Sequence, residues 1–195
     1  MTELEKCMAG ESYNCHDKIF LDIKSHARKL LQKYNSLAYE QKAEKINILK
    51  QLFGGVGTNV SVGLPFICDY GRNIYVGNNV SVNMNCTFVD CNKITIGDNV
   101  LIASNVQLYT ATHPAPLAER YVQNPETGQL VRHTYALPIK IGNGCWLGEL
   151  IAFLKKKNIT VALITGKGEK SCTITLEKLG LSEICYIGDT VQDIK

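Results

Sequence analysis

The sequence lacks the features that would place the protein in a membrane or on nucleic acid. It contains no apolar run of membrane-spanning length and no signal peptide. Its 21 basic and 18 acidic residues give a net charge of +3, and the basic residues are spread along the chain rather than clustered. We therefore predict a globular protein of the cytoplasm that binds neither nucleic acid nor membrane.

The sequence also lacks the cysteine spacings of metal sites and of thiol–disulfide enzymes. None of its eight cysteines forms a CxxC pair, and no cysteines and histidines have the spacing of a zinc site. We therefore expect reduced thiols and no bound metal. Cys86 and Cys145 fall at positions of a sequence repeat that favour a small apolar side chain, which free cysteine supplies.

What the sequence does contain is a six-residue repeat of aliphatic side chains between residues 74 and 113. Neither a helix, with apolar residues at every third or fourth position, nor a half-buried strand, with apolar residues at every second position, has this period. Short strands joined by tight turns fit it, with Gly and Asn in the turns and aliphatic side chains stacked inside a solenoid. The repeated positions, with a two-residue slip after the fourth, are Val76, Val82, Phe88, Ile94, Ile96, Ile102 and Leu108.

The flanking segments differ in character and define the predicted domains. Residues 1–54 have helical periodicity and predict a helical cap over the first coil, which would otherwise expose an apolar end. The solenoid is predicted over residues 55–149 and is interrupted at 114–138 by prolines and a polar run. A long loop of this kind in a compact domain is often functional.

Several motifs resemble those of the maltose and galactoside O-acetyltransferases, a family of hexapeptide-repeat acyltransferases. They are MAGESY at 8–13, HARKL at 26–30, FICDYG at 66–71, TATHP at 110–114 and PIKIGNGCWLG at 138–148. The resemblance covers residues 1–149 and implies a left-handed parallel β-helix that forms a homotrimer, with loop 114–138 beside the neighbouring subunit. It also implies transfer of an acetyl group from acetyl-CoA to a hydroxyl of maltose, glucose or a galactoside.

By this resemblance, the reacting groups are His113 and Asn83. His113 takes the place of the family's general base, a task that imidazole suits, although an isolated histidine at a turn is more often a surface residue. Asn83 takes the place of an asparagine that stabilises the transition state, although asparagine is also an ordinary turn residue of solenoids. Trp146 is expected beside the donor, and the backbone amide of Glu149 is expected to stabilise the thioester oxygen.

The resemblance assigns acceptor contacts to five further residues. Asp69 takes the position of a Ser or Asp that holds the sugar, and Ser81 that of a larger aromatic residue in some members. Asp90 matches an acid of the family, whereas Cys91 replaces an acid found in the galactoside enzymes. Asp17 lies close to the position of another acceptor-binding aspartate. Together these positions favour an acceptor of the maltose type.

Residues 150–195 have a different pattern, that of a strand, a helix and a second strand. LITG at 163–166 and GDTVQD at 188–193 resemble the phosphate-binding and magnesium-binding motifs of haloacid dehalogenase-like phosphatases. The nucleophile motif DxDx[TV] of those enzymes does not occur in the chain, and without a nucleophile there is no aspartyl-phosphate chemistry. We therefore predict a mainly β protein that ends in a short α/β fragment without phosphatase activity.

Two functions of different classes stay open on the sequence. The first is a sugar O-acetyltransferase. The second is a trimeric sugar-binding or structural protein with impaired or no catalysis, because residues 150–195 replace the later coils that hold much of the coenzyme A pocket in the family. In that case acetyl-CoA would bind far more weakly than the sugar.

Overall fold

The fold is that of a computed structural model, which describes residues 1–123, 128, 130–148, 161–164 and 185–188. The chain divides into two compact units, residues 1–149 and residues 150–195. Within the described residues, no helix is long and apolar enough to cross a lipid bilayer.

Three helices form the first part of unit 1–149: α1 (Glu3–Ala9), α2 (Lys18–Asn35) and α3 (Lys42–Leu52). Helix α1 begins with a capping box, in which the side chains of Thr2 and Glu5 each accept a hydrogen bond from the other's backbone N–H. Helix α2 is preceded by its N-cap Asp17, whose carboxylate accepts a hydrogen bond from the Ile19 N–H at 3.0 Å.

Helices α2 and α3 pack against the first coil of the solenoid. Their apolar faces join the solenoid interior in one core, through Ala27, Leu31, Tyr34, Ile48, Leu49 and Leu52. At the end of α2, the Tyr34 hydroxyl donates to the carbonyl of Val62 at 2.7 Å. The Asn35 side chain donates to the Phe66 carbonyl at 2.8 Å and accepts from the Phe66 N–H at 2.9 Å. These bonds fix the end of the helix to the sheet.

The solenoid consists of three parallel sheets, and successive coils add one short strand to each. The first sheet contains β1 (Gly55–Val56), β4 (Ile74–Val76), β7 (Ile94–Ile96) and β14 (Ile139–Ile141). The second contains β2 (Ser61–Val62), β5 (Ser81–Val82), β8 (Leu101–Ile102) and β15 (Trp146–Leu147). The third contains β3 (Phe66–Cys68), β6 (Cys86–Val89) and β9 (Gln107–Tyr109). The predicted mainly β architecture is confirmed.

One coil takes 20 residues, since Ile74 pairs with Ile94 and Val82 pairs with Ile102. Three six-residue steps leave two residues over in each coil. Side chains of the solenoid core are otherwise two or four positions apart, but Ile74 comes six positions after Cys68, and Ile94 comes six positions after Phe88. The slip in the hexad pattern therefore marks the corner between the third and the first sheet.

The interior of the solenoid is a continuous stack of aliphatic side chains with two aromatic rings. Phe66 and Phe88 pack edge to face, with ring centroids 5.1 Å apart. Cys86 is fully buried, as its place in the repeat predicts, and its thiol donates to the Ala103 carbonyl at 3.2 Å. Free thiols are found at Cys7, Cys15, Cys68, Cys86, Cys91 and Cys145.

Asparagine occupies the tight turns at the other two corners. Among the described residues, those other than glycine in the left-handed region, with φ between 54° and 63°, are Asn59, Asn79, Asn85, Asn99 and Asn105. Asparagine is one of the few residues with a side chain that tolerates this region. At the corner between the first and the second sheet, the amides also form a ladder, from Asn59 to Asn79 at 3.0 Å and from Asn79 to Asn99 at 3.1 Å.

A long excursion separates β9 from β14. It contains β10 (Ala111–Thr112), α4 (Leu117–Arg120), β11 (Tyr121–Gln123), β12 (Leu130–Arg132) and β13 (Tyr135–Ala136). Strand β11 pairs with β12 and β10 pairs with β13, both antiparallel. Ile94 pairs with Ile139, which is 45 positions further along instead of 20, so the excursion adds 25 residues to one coil without changing the register.

In unit 150–195 the structure describes two strands, β16 (Val161–Ile164) and β17 (Cys185–Gly188), which pair in parallel. They lie in the segment for which the sequence predicts an α/β fragment, which stays a prediction. The predicted helix between them, and most of the LITG and GDTVQD motifs, lie outside the described residues.

Candidate active site

His113 lies where the chain leaves the third sheet, directly after β10, and its side chain is exposed. Its Nδ1 is 2.7 Å from the backbone carbonyl oxygen of His133. Because a carbonyl oxygen only accepts, Nδ1 must carry a proton in this contact, and a neutral imidazole then has its lone pair on Nε2. Within the described part of the chain, Nε2 has no hydrogen-bond partner. This is the arrangement that a general base needs.

Three contacts fix the chain around His133. Tyr135 pairs with Thr112 across β13 and β10, which fixes the two chain segments side by side. The Tyr13 N–H donates to the carbonyl of Thr134 at 3.1 Å, which ties the N-terminal segment to the same strand. The Tyr135 hydroxyl is 3.5 Å from Nδ1 of the His133 ring. The N-terminal segment, the solenoid and the excursion therefore meet beside the predicted base.

A second apolar core lies at this corner and contains Cys7, Tyr13, Phe20, Tyr70, Cys91 and Ala136. Burial raises the pKa of Cys91 to about 12, so this side chain is a neutral thiol at neutral pH. The thiol donates to a carboxylate oxygen of Asp69 at 3.6 Å. Cys91, for which the sequence predicts an acceptor contact, is thus buried and holds its neighbour Asp69.

Asp69 lies at the same corner with part of its carboxylate exposed. One of its oxygens is 3.3 Å from Nζ of Lys24 on helix α2, and that ammonium group lies 5.5 Å from the centre of the Tyr70 ring. Asp17, the N-cap of the same helix, is half-buried. Lys24 is not among the predicted residues, because a lysine on a helix carries no motif that marks its partner.

Asp90 has no exposed surface. Its carboxylate accepts hydrogen bonds from the backbone N–H groups of Asp69, Tyr70 and Asn73, at 3.0, 2.8 and 3.3 Å. Burial nevertheless raises the pKa of Asp90 to about 6. The carboxylate stands in for strand hydrogen bonds at the corner with two extra residues, and this position gives no support to the predicted acceptor contact of Asp90.

The other predicted residues lie on or beside the second sheet. Ser81 is exposed on β5, and its hydroxyl is 3.2 Å from the hydroxyl of Ser61. Asn83 is exposed at the corner between the second and the third sheet, and its oxygen accepts from the Met84 N–H at 2.8 Å. Trp146 is on β15 and is 77% exposed. Glu149 lies outside the described residues.

The predicted residues therefore fall into two groups on one protomer. The first group, at the corner between the third and the first sheet, contains His113, Asp69, Asp90, Cys91 and Asp17. The second group, along the second sheet, contains Ser81, Asn83 and Trp146. His113 and Asn83 lie towards opposite ends of the third sheet, whose strands of three or four residues are about 10 Å long.

Within the described ranges, there is no cluster of His, Cys, Asp and Glu side chains with the geometry of a metal site. His133 contributes through its backbone, so no side-chain pattern in the sequence could have indicated its part.

Comparison with known proteins identifies the family. The sequence profile of the maltose acetyltransferase hexapeptide capping motif matches residues 6–57. The crystal structure of a maltose O-acetyltransferase from Clostridium difficile 630 is 37% identical in sequence, with a TM-score of 0.63 over 75% of this chain and 76% of that chain. The chain belongs to the maltose/galactoside O-acetyltransferase family.

Two further proteins are similar to this acetyltransferase. Nodulation protein L of Rhizobium meliloti is 38% identical over 149 residues, which make up 75% of this chain and 75% of that protein. A galactoside acetyltransferase solved in complex with coenzyme A is 28% identical, with a TM-score of 0.63 and 76% of each chain covered. The predicted enzyme class, an acetyltransferase with hexapeptide repeats, is thereby confirmed.

These comparisons do not support the resemblance of residues 150–195 to haloacid dehalogenase-like phosphatases, which stays a prediction. The roles of the individual site residues of this acetyltransferase also stay predictions. What the structure adds is their arrangement, with the imidazole of His113 fixed at one corner and the amide of Asn83 at another.

Proposed function

We propose that this acetyltransferase transfers the acetyl group of acetyl-CoA to a hydroxyl of a maltose-like or glucose-like sugar, with a galactoside as the second acceptor class. The observation that carries the proposal is the 2.7 Å contact between His113 Nδ1 and the His133 carbonyl. It leaves the lone pair of Nε2 in position to accept a proton, which is the task of a general base.

In the proposed reaction, Nε2 of His113 removes the hydroxyl proton of the acceptor as the acceptor oxygen attacks the thioester carbon. A C–O bond forms, and negative charge develops on the former carbonyl oxygen. When this intermediate collapses, the C–S bond breaks and the departing thiolate takes the proton from the His113 imidazolium. The products are the sugar acetate and coenzyme A, and His113 is again neutral.

Two groups are proposed to stabilise the developing negative charge, the side-chain amide of Asn83 and the backbone N–H of Glu149. Because the Asn83 oxygen accepts from the Met84 N–H at 2.8 Å, the NH₂ group of Asn83 is the part of the amide left to donate. Two such donors would each contribute a few kcal/mol to transition-state stability.

The positions of His113 and Asn83 support a site that two subunits share. Each protomer has these two side chains at different corners, at opposite ends of strands about 10 Å long, and the proposal is that His113 of one subunit and Asn83 of another serve one substrate. A three-fold arrangement of left-handed solenoids would place the His113 corner of one subunit against the Asn83 corner of the next, and would form three equal sites. A homotrimer is therefore part of the proposal.

The donor is proposed to lie along the outer face of the second sheet, next to Trp146. This indole is 77% exposed and offers a flat apolar surface beside strand β15. The coenzyme A complex of the related galactoside acetyltransferase supports acetyl-CoA as the co-substrate.

The acceptor is proposed to lie between Asp69 and Asp17 at the His113 corner and Ser81 on the neighbouring subunit. The Lys24 ammonium group 3.3 Å from Asp69 adds hydrogen-bond donors beside an acceptor carboxylate, a combination that suits sugar hydroxyls. Asp90 and Cys91 would act behind this surface, by holding Asp69 through its N–H and its carboxylate.

The proposal predicts that replacing His113 with alanine lowers kcat for acetylation by about 10²-fold to 10⁴-fold, because the general base is lost. The measurement is release of free coenzyme A thiol from acetyl-CoA with maltose, glucose or a galactoside. His26→Ala, at an exposed position on helix α2, is the matched control and should retain full activity. An unchanged rate in His113→Ala would remove His113 from the role.

The same assay separates the proposal from the alternative of a sugar-binding protein. If the wild-type protein releases no thiol with any acceptor, while calorimetry detects binding of the sugar but not of acetyl-CoA, the non-catalytic alternative is correct.

A further inference from the structure

Arg120, the last residue of helix α4, binds the chain segment that directly follows His113. Its guanidinium Nε donates to the carbonyl of Pro114 at 3.0 Å, and its Nη2 donates to the carbonyl of Ala115 at 2.5 Å. The two donors of one planar group thus hold two successive carbonyl groups. The side chain is partly buried in this position.

The backbone of Arg120 binds the returning strand of the same excursion. The Arg120 carbonyl accepts a hydrogen bond from the His133 N–H at 2.9 Å. His133 in turn accepts the Nδ1–H of His113 with its own carbonyl at 2.7 Å. Arg120 therefore contacts both neighbours of the predicted base, namely the segment that leaves it and the residue that orients it.

No regular strand pairing could replace this contact. Residues 113–116 read His-Pro-Ala-Pro, and the two prolines have no N–H group to donate to a sheet ladder. The pairing of β10 with β13 ends at Thr112 and Tyr135, one residue before His113. Beyond that point, the guanidinium group of Arg120 ties the outgoing segment to the excursion.

We propose that Arg120 is a positioning residue for His113, which fixes the imidazole in its Nδ1–H tautomer and in the direction required for proton transfer. The inference rests on the proposed role of His113 as the base. A base that is displaced by about 1 Å loses roughly two orders of magnitude in rate, whereas the binding surfaces for donor and acceptor lie on other residues. The loss of Arg120 should therefore reduce kcat and leave both KM values almost unchanged.

Arg120→Ala is compared with Arg132→Ala, which removes an exposed arginine from strand β12 of the same excursion. We expect Arg120→Ala to lower kcat by about 10-fold to 100-fold, with both KM values within about twofold of the wild type. Arg132→Ala should keep the wild-type kcat. Added guanidinium ion should restore part of the activity of Arg120→Ala and none of the activity of His113→Ala. Arg120→Lys should be less active than the wild type, since one ammonium group does not reproduce the two planar donors of the guanidinium group.

A readout that needs no sugar substrate separates this inference from the proposed function. Long-range nitrogen–proton NMR spectra of His113 should show a single Nδ1–H tautomer in the wild type and in Arg132→Ala, and a tautomer mixture in Arg120→Ala. If the wild type acetylates no sugar, the proposed function fails, and the NMR comparison still decides whether Arg120 orients His113. An unchanged tautomer, or a fall in kcat that guanidinium does not relieve, would overturn the positioning role.

Discussion

At the scale of single residues, the buried carboxylate of Asp90 connects two coils beneath His113. It accepts hydrogen bonds from three backbone N–H groups of the preceding coil, and the Asn73 side chain donates to the Asp90 carbonyl at 2.7 Å. Burial raises its pKa from 3.8 to about 6, although the three donors favour the charged form. The protonation of this one group should therefore be visible in the stability of the whole fold.

The sign of the effect follows from proton binding. Between pH 4 and pH 6 the folded state keeps a proton on Asp90 that the unfolded chain has released, so this contribution to stability is fully present below about pH 4 and is lost as pH rises through about 6. The rise in the pKa of Asp90 corresponds to about 3 kcal/mol of unfolding free energy. Urea unfolding between pH 4 and pH 7 should show this decrease in unfolding free energy for Asp22→Asn, at an exposed position of helix α2, but not for Asp90→Asn. A fall of equal size in Asp90→Asn would contradict the assignment to Asp90.

At the scale of elements, the left-handed asparagines determine how each coil turns from one sheet to the next. Asn79 has a φ of 55° and donates and accepts in the amide ladder with its neighbours in the adjacent coils. Two substitutions of Asn79 separate the contribution of its left-handed backbone conformation from that of its amide ladder. Glycine removes the ladder and keeps the backbone freedom, whereas alanine removes both.

We expect Asn79→Ala to be less stable than Asn79→Gly by about 1 kcal/mol, which is the cost of a Cβ atom in the left-handed region. Denaturant unfolding of both variants gives this difference directly, since the lost ladder cancels between them. Asn78, which precedes Asn79 and has no positive φ, provides the matched pair, in which alanine should be at least as stable as glycine. A glycine variant of Asn79 no more stable than the alanine variant would show that the backbone conformation is not the determinant.

The strands of the solenoid could be predicted from the sequence because each aliphatic position repeats locally. Val82 and Ile102, one coil apart in the repeat, are paired neighbours in the second sheet. The contact partners at the site could not be predicted in this way. His113 meets the backbone of His133 across the excursion, and Lys24 meets Asp69 from a helix that has its own period. Such contacts depend on where separate elements dock, which no local period encodes.

Asp90 shows the limit of inference from resemblance. Its position in the sequence matches an acid of the family, but the structure places it inside a corner that needs an internal acceptor for three N–H groups. The two-residue slip in the hexads was visible in the sequence at that corner. The slip did not indicate that the backbone N–H groups at this corner would take the Asp90 carboxylate as their hydrogen-bond acceptor.

At the scale of the whole molecule, the separation of His113 and Asn83 predicts complementation between subunits. His113→Ala and Asn83→Ala should each be nearly inactive alone. When the two are unfolded together and refolded in equal amounts, about one quarter of the sites in random trimers combine an intact His113 with an intact Asn83 from different subunits. Thiol release should then recover to about that fraction of the wild-type rate.

Each variant unfolded and refolded alone is the control and should remain inactive. Light scattering of the mixture should give the mass of three chains. No recovery of activity in mixed trimers of correct mass would show that both residues of each site come from one protomer.

The excursion that adds 25 residues between β9 and β14 leaves the pairing of Ile94 with Ile139 in the same register as the coil before it. The length of the excursion therefore does not affect the register of the solenoid, and the excursion can change in length without a change in the core. Stacking constrains the strands of the coils, whereas the length of the excursion away from Arg120 and His133 is not constrained by the pairing of the sheets. An excursion grafted from a relative should therefore leave the coils intact, whereas acetylation should survive only if the graft keeps the contacts of Arg120 and of the His133 carbonyl beside His113.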